Sequence, residues 1–456
     1  MATASLGSAA PLPSFRHFRH LPRSITPLPL PTASNRTPMK TVSSAVQVNT
    51  AALLPLDKPL VRHYHHPSLE VFGGAQDSLL PALSSLERPY DPFPLIGWNG
   101  HVETIFAALF RSLPEVRYRR ECLRMSDDGV VALDWVSGDL RRLPADSPIL
   151  ILLPGLAGGS GDRYVKHMLV RASSNGWRVV VFNSRGCADS PVVTAKFYSA
   201  GYTDDLREVV AQLAARYPEA NLYAAGWSLG ANILVRYLGQ DSNTCPLSGA
   251  VSLCNPFDVV VADEEFSKGI NCIYDKSLAS ALRKIFKKHA LLFEDLDGDY
   301  NIPLTANCKS VREFHEGLTV ATFGYQSVDD YYSNSNSSEY IKHVRTPLLC
   351  IQAANDPIAP YRSIPREDIK ENPNCLMIIT PKGGHLGWVA GAKAPRGSPW
   401  TDPVVMNFLS YLESGRSQPS DFPELESGRS NSSATSFMKV NGVQQCTEGS
   451  HHHQEV

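Results

Sequence analysis

The chain predicts an α/β fold with a mostly parallel central sheet flanked by helices and a helical cap inserted between late strands. Three observations carry that prediction. From Ile149 onward, short apolar runs alternate with amphipathic ones, the pattern of buried strands covered by helices on both faces. The pentad Gly226-Trp227-Ser228-Leu229-Gly230 lies between an apolar run and a helical one, a strand-turn-helix setting that exposes a serine on a sharp turn. The alternation then breaks over residues 255–346, a span far too long for a simple crossover and long enough for an inserted cap.

The elements follow in order. Residues 1–46 read as a plastid transit peptide: no Asp or Glu occurs before Asp57, Ser, Thr, Pro and Ala abound, and Arg16, Arg19, Arg23, Arg36 and Lys40 supply positive charge. A basic disordered tail is the competing reading of that composition. Residues 47–95 are proline-punctuated and weakly periodic, so they read as a linker, with regular structure beginning near Trp98. Strands over 116–123 and 130–136 flank Asp127-Asp128-Gly129, a tight turn, and form an antiparallel hairpin. Further strands are expected near 148–153, 178–183, 221–225, 248–253, 347–353 and 376–380, with helices near 163–174, 203–216, 229–239 and 403–413. The main domain therefore spans 96–413, with its cap at about 256–345. In the cap Leu278, Leu282, Ile285 and Phe286 recur at helical spacing, opposite Arg283, Lys284, Lys287 and Lys288. That is a cap helix with a solvated basic face; a helix touching a membrane is the alternative. Residues 414–456 lack periodicity and read as a disordered tail.

Composition narrows the function. At 456 residues, 43% apolar and 19% charged, the chain builds a sizeable globular core. A net charge of −2 gives no extended basic face, so no nucleic-acid partner is expected. No apolar run reaches the roughly 20 residues that span a bilayer, so no transmembrane segment is expected. Nine single cysteines without a CxxC pair fit a reducing compartment. His63, His65 and His66 lack nearby carboxylate or thiol ligands, and His451, His452 and His453 lie in the tail; neither group, nor any other, calls for a metal or an organic cofactor.

The chemistry centres on Ser228. A serine hydroxyl needs a base within hydrogen-bond reach and a third group that fixes the tautomer of that base. In the α/β-hydrolase fold the chain order is serine, acid, histidine. Asp356 follows the strand around 347–353 in Ala354-Asn355-Asp356-Pro357, and His385 follows the next strand in Gly383-Gly384-His385-Leu386-Gly387, so both sit at carboxyl edges of the sheet. Asp258 is the rival acid, and His101 and His289 are rival bases. The oxyanion hole needs two backbone amides, one after the nucleophile and one from the glycine-rich loop after the strand near 148–153; these are Leu229 and Leu156 of Pro154–Ser160. That loop fits neither GxxxxGK[ST] nor GxGxxG, which excludes a phosphate cradle. Arg185 is expected to pair structurally with Asp204 or Asp205.

Trp98-Asn-Gly-His101 with Thr104-Ile105, Pro154-Gly155-Leu156 with Gly158-Gly159-Ser160, Asn183 to Gly186, Phe197 to Asp205, Gly226 to Gly230, Asn255 to Asp258, Phe323-Gly-Tyr and Asp330-Tyr-Tyr, together with Asp356 and His385, occur in one order. In that order the chain resembles the embryogenesis-associated-protein-like α/β-hydrolases of plants, whose relatives include bacterial YheT-type esterases and animal α/β-hydrolase-domain lipases. The resemblance covers about residues 95–413. It implies a serine carboxylic-ester hydrolase acting on acylglycerol, phospholipid or short-chain ester substrates, with Ser228 as nucleophile, Asp356 as acid and His385 as base. An acyltransferase using the same triad and a non-catalytic lipid-binding protein are the alternatives. The expected partner is a small ester or lipid, with peripheral membrane contact open, and the expected location is the plastid. The resemblance departs at His315, where an acidic residue is expected after Phe314; altered cap packing is the anticipated effect.

Overall fold

Nine strands form a single sheet: β1 (Glu70–Phe72), β2 (Tyr118–Arg124), β3 (Val130–Val136), β4 (Ile149–Leu153), β5 (Arg178–Asn183), β6 (Leu222–Trp227), β7 (Leu247–Leu253), β8 (Leu348–Ala353) and β9 (Cys375–Thr380). Their order is β1-β9-β8-β7-β6-β4-β5-β3-β2 in this computed structural model, which describes residues 69–87, 90–138, 142–294 and 298–416. The transit-peptide segment and both histidine triplets lie outside the described residues, as do 417–456. Strands β4 to β9 run parallel to one another; β1 and β3 run antiparallel to them at the two ends, and β2 pairs antiparallel with β3.

The parallel strands are buried at every position, which is why they read as continuous apolar runs rather than alternating ones. In β4, Ile149, Ile151 and Leu153 face one core and Leu150 and Leu152 the other, as the two-residue period of a strand demands. The first core is closed by α3 (Asp204–Arg216) and α4 (Leu229–Asp241), the second by α2 (Arg163–Ser174) and α6 (Thr401–Arg416). Each lays an apolar stripe on the sheet: Val165, Met168, Leu169 and Ala172 of α2 are fully covered. Two further helices matter for the site, α1 (Gly100–Leu109), N-capped by the Asn99 side chain, and α5 (Cys272–His289) in the cap.

Two expectations need correction. Regular structure begins before Trp98, because β1 pairs antiparallel with β9 and Ala75, Leu79, Ala82 and Leu83 join the core on the α2/α6 side. A three-residue strand is too short to show periodicity. Its exit is marked by Gly73 at φ +146°, where a Cβ would lie 2.3 Å from the Cys375 carbonyl oxygen. At the other end α6 continues to Arg416, so residues 414–416 are helical. The hairpin β2–β3 and the cap between β7 and β8 fall where the sequence places them, and Lys284, Lys287 and Lys288 of α5 are exposed.

Candidate active site

The carboxyl ends of β4, β6, β8 and β9 deliver four loops to one place. β6 turns directly into α4 at Ser228, whose φ of 53° and ψ of −120° form a strained elbow costing about 1–3 kcal/mol. The surroundings hold that turn: the Ser228 amide donates to the Leu253 carbonyl at 2.9 Å, and a Cβ at Gly230 would lie 2.2 Å from the Leu153 carbonyl oxygen. Only glycine permits this approach of α4 to β4.

The three side chains form one chain of contacts. His385 Nε2 lies 3.0 Å from Ser228 Oγ, and Nδ1 lies 2.9 Å from Asp356 Oδ2 and 3.1 Å from Oδ1. Asp356 Oδ1 also accepts the Ile358 and Ala359 amides, each at 2.8 Å, which orients the carboxylate from its own turn. Asp356 and His385 are buried, and Ser228 opens onto the cavity.

The rivals are placed elsewhere. Asp258 caps the short helix Val259–Phe266 by accepting the Val261 amide. His101 Nδ1 meets Tyr274 Oη at 3.0 Å, and His289 sits edge-on to Phe197. Arg185 pairs with Asp205 and with Asp127, while Asp204 pairs with Arg207. The guanidinium is buried, so these two carboxylates neutralise a charge that would otherwise be unpaired in the core.

Five of the six backbone amides over Gly155–Ser160 have acceptors. Gly155 donates to Tyr164 Oη, Ala157 to Tyr198 Oη, Gly158 to the Gly155 carbonyl, Gly159 to Asp162 and Ser160 to Asn183 Oδ1. Among the described residues the Leu156 amide has no acceptor, and neither does the Leu229 amide at the first turn of α4. The loop is anchored through a buried network: Asp134 accepts Ser160 Oγ, Asn183 Nδ2 and Arg120. Tyr164 and Tyr198, which sequence reasoning missed, thus consume the neighbouring amides; nothing in their spacing marked them.

Sequence reasoning also missed what holds His385. Thr104 Oγ1 accepts the His385 amide at 2.8 Å, Asn355 Oδ1 accepts the Gly384 amide, and Glu103 Oε1 accepts the Val389 amide at 2.7 Å. Arg111 donates to the Leu386 carbonyl at 3.0 Å and to the Gly387 carbonyl. The inner face of α1 and the residues after it therefore form the platform for the histidine loop, which gives Glu103 and Thr104 a physical role. Burial pushes the Arg111 guanidinium down to about 10, with Asp402 and Glu103 opposing, and raises Asp402 to about 7, with Arg111 and Arg171 opposing. Behind the triad, the Cys254 thiol accepts the Leu386 amide at 3.3 Å and is kept protonated by burial and by Asp356. Cys254, Asp356 and His385 place potential ligand atoms within 4.8 Å of one another, but two of the three are committed to the serine relay.

Ser228 and His385 open into a cavity of about 730 Å³ beneath the cap. Its walls are largely apolar, with Ile105 of α1, Leu156 of the loop and Leu278, Leu282 and Ile285 of α5. His315 also lines it, so the residue does more than alter cap packing. No described helix is long and apolar enough to cross a membrane.

A parallel sheet with a strained serine elbow, a serine–histidine–aspartate relay and two free amides beside an apolar cavity defines an α/β-hydrolase, of the carboxylic ester hydrolase class. The sequence model of the alpha/beta hydrolase fold matches residues 148–389. Embryogenesis-associated protein EMB8 of Picea glauca is 63% identical over 348 residues, 75% of this chain and 76% of that protein. Phospholipase ABHD3 of Homo sapiens is 34% identical, covering 69% and 77%, and the monoacylglycerol lipase of Saccharomyces cerevisiae is 29% identical, covering 72% and 82%. The chain belongs to the embryogenesis-associated-protein-like α/β-hydrolase family.

Proposed function

We propose that the protein is a serine esterase or lipase that cleaves acylglycerol, phospholipid or short-chain esters through an acyl-Ser228 intermediate. The observation that carries this reading is the unbroken relay Oγ–Nε2 at 3.0 Å and Nδ1–Oδ2 at 2.9 Å, opening into an apolar cavity. His385 takes the hydroxyl proton as Ser228 Oγ attacks the ester carbon. Charge developing on the carbonyl oxygen meets the Leu156 and Leu229 amides, the second strengthened by the α4 dipole. His385 then gives its proton to the leaving alcohol, and Asp356 stabilises the imidazolium throughout. Water attacks the acyl-serine, its proton passing to His385, and the acid is released with Ser228 restored.

The substrate range is supported by the cavity, whose walls suit an acyl chain. The relatives include a phospholipase and a monoacylglycerol lipase, which is the source of the two glyceride classes. Plastid residence is part of the same proposal and rests on the composition of residues 1–46. A fluorescent fusion of that segment that stays outside plastids refutes it. For the chemistry, the test is fluorophosphonate labelling beside turnover of p-nitrophenyl esters. Ser228→Ala loses the label and lowers turnover at least about a thousandfold; retained label and turnover in that variant sink the proposal.

A further inference from the structure

The cavity wall is not uniformly apolar. One side, around Leu156, is built mainly from Leu278, Leu282, Ile285 and Phe314 and is largely apolar. The other side packs against Leu229, the residue after the nucleophile, and carries Tyr331 and Tyr332, with the His315 ring tilted against the first and edge-on to the second at ring distances of 4.9 and 5.8 Å. His315 and Tyr332 line the cavity, yet they are only 7% and 3% exposed.

Each holds a polar atom without a partner. His315 Nδ1 is engaged by Thr319 Oγ1 at 2.8 Å, whereas Nε2 has no hydrogen-bond partner among the described residues. Tyr331 Oη accepts the Ala200 amide; Tyr332 Oη has no partner among the described residues. Neither free atom is among the fully sealed unpartnered ones, and both side chains line the cavity. The chain departs from α-helical geometry here, with a π-helical turn over His315–Thr319. Such turns realign successive side chains, and both Phe314 and His315 reach the cavity.

The charges around this corner select the ligand. Asp263 also lines the cavity and accepts Arg312, which pairs in addition with Asp329, so two carboxylates share one guanidinium. A phosphate or carboxylate at this corner would meet that excess negative charge. Burial lowers the His315 imidazole to about 3, so it is neutral at any working pH and offers one ring nitrogen to a neutral donor or acceptor.

We propose that His315 and Tyr332 form a subsite for an uncharged, hydroxyl-bearing part of the ester substrate, an inference that rests on Ser228 acting as the nucleophile. A hydroxyl both donates and accepts, which matches a neutral imidazole beside a phenol. It comes either from the alcohol portion, as in a partial glyceride, or from a hydroxylated acyl chain. A site built to hydrogen-bond a hydroxyl discriminates against the analogue that lacks it, because its own buried polar atoms are then left unpaired.

The test compares kcat/KM for two matched pairs on the full chain: 1-decanoylglycerol against ethyl decanoate, and methyl hydroxydecanoate against methyl decanoate. The wild type favours the hydroxylated member about tenfold or more in at least one pair, and the pair that responds identifies the source of the hydroxyl. Tyr332→Phe and His315→Phe each reduce that ratio severalfold, and His315→Gln restores part of it. The ratio is internal to each variant, so a general loss of activity does not affect it; if His315→Phe does not fold, Tyr332→Phe and His315→Gln carry the comparison. Turnover of all four esters without preference, or a preference that survives both Phe variants, overturns the subsite and leaves the hydrolase reading standing. A folded wild type that turns over none of them, and takes no fluorophosphonate, overturns both.

Discussion

Replacing Asp356 by Asn changes one atom, and its consequence follows from hydrogen bonds already counted. Oδ1 accepts the Ile358 and Ala359 amides at 2.8 Å, so that position must remain an oxygen; an NH₂ there would face two donors. The amide nitrogen is therefore forced into the Oδ2 position, 2.9 Å from His385 Nδ1. As a donor it requires Nδ1 to accept, which moves the imidazole proton to Nε2. Nε2 then points a hydrogen at Ser228 Oγ across 3.0 Å and is no longer able to take a proton from it. In serine triads that tautomer error costs about 10⁴-fold in kcat, equivalent to about 5.5 kcal/mol. The fold should survive, since no contact is lost and no volume changes. The assay is kcat and KM on p-nitrophenyl esters, with the fluorophosphonate labelling rate and the thermal midpoint measured in parallel. We expect kcat to fall by about 10³–10⁴ with KM and midpoint little changed. A variant within tenfold of wild type refutes both the role of Asp356 and the tautomer argument.

Two further perturbations probe the platform behind the histidine. Arg111→Met removes the donors to the Leu386 and Gly387 carbonyls, and kcat should fall about tenfold or more with little change in KM, partly rescued by Arg111→Lys; a change confined to KM contradicts a positioning role. Asp402 is raised to about 7 from 3.8, so it is protonated in the fold where it is ionised in the unfolded chain. Its contribution to stability is full below pH 3.8 and is lost as pH rises through 7. Asp402→Asn should therefore remove a fall in thermal midpoint between about pH 4 and 7 that wild type shows, and parallel wild-type and variant curves over that window contradict the assignment.

The legible parts of this protein share a cause. Strands β4 to β9 are buried on both faces, so their apolar character survives in any short window of sequence, and the helices between them carry 3.6-residue stripes. Ser228, Asp356 and His385 were readable because each follows such a strand, and a parallel sheet puts all strand ends of one polarity along one edge. The serine pentad added a local constraint, the close approach at Gly230 that excludes a side chain.

What the sequence left open depends on contacts between segments far apart in the chain. β1 was invisible because three residues carry no period; it is defined by its partner β9, some 300 residues later. That the Leu156 amide alone is free in its loop depends on Tyr164 and Tyr198, whose side chains, from outside the loop, accept its neighbours. The grip of Thr104 and Arg111 on the histidine loop spans more than 270 residues and leaves no local signature. His315 read as a detail of cap packing until the fold placed it on the cavity wall with a free ring nitrogen. The sequence by itself thus determined the sheet, the elbow and the order of the relay, because periodicity and turn chemistry are local. Only the tertiary structure decided which donors remain free and which polar atoms meet the substrate, because an unpaired group is defined by everything around it.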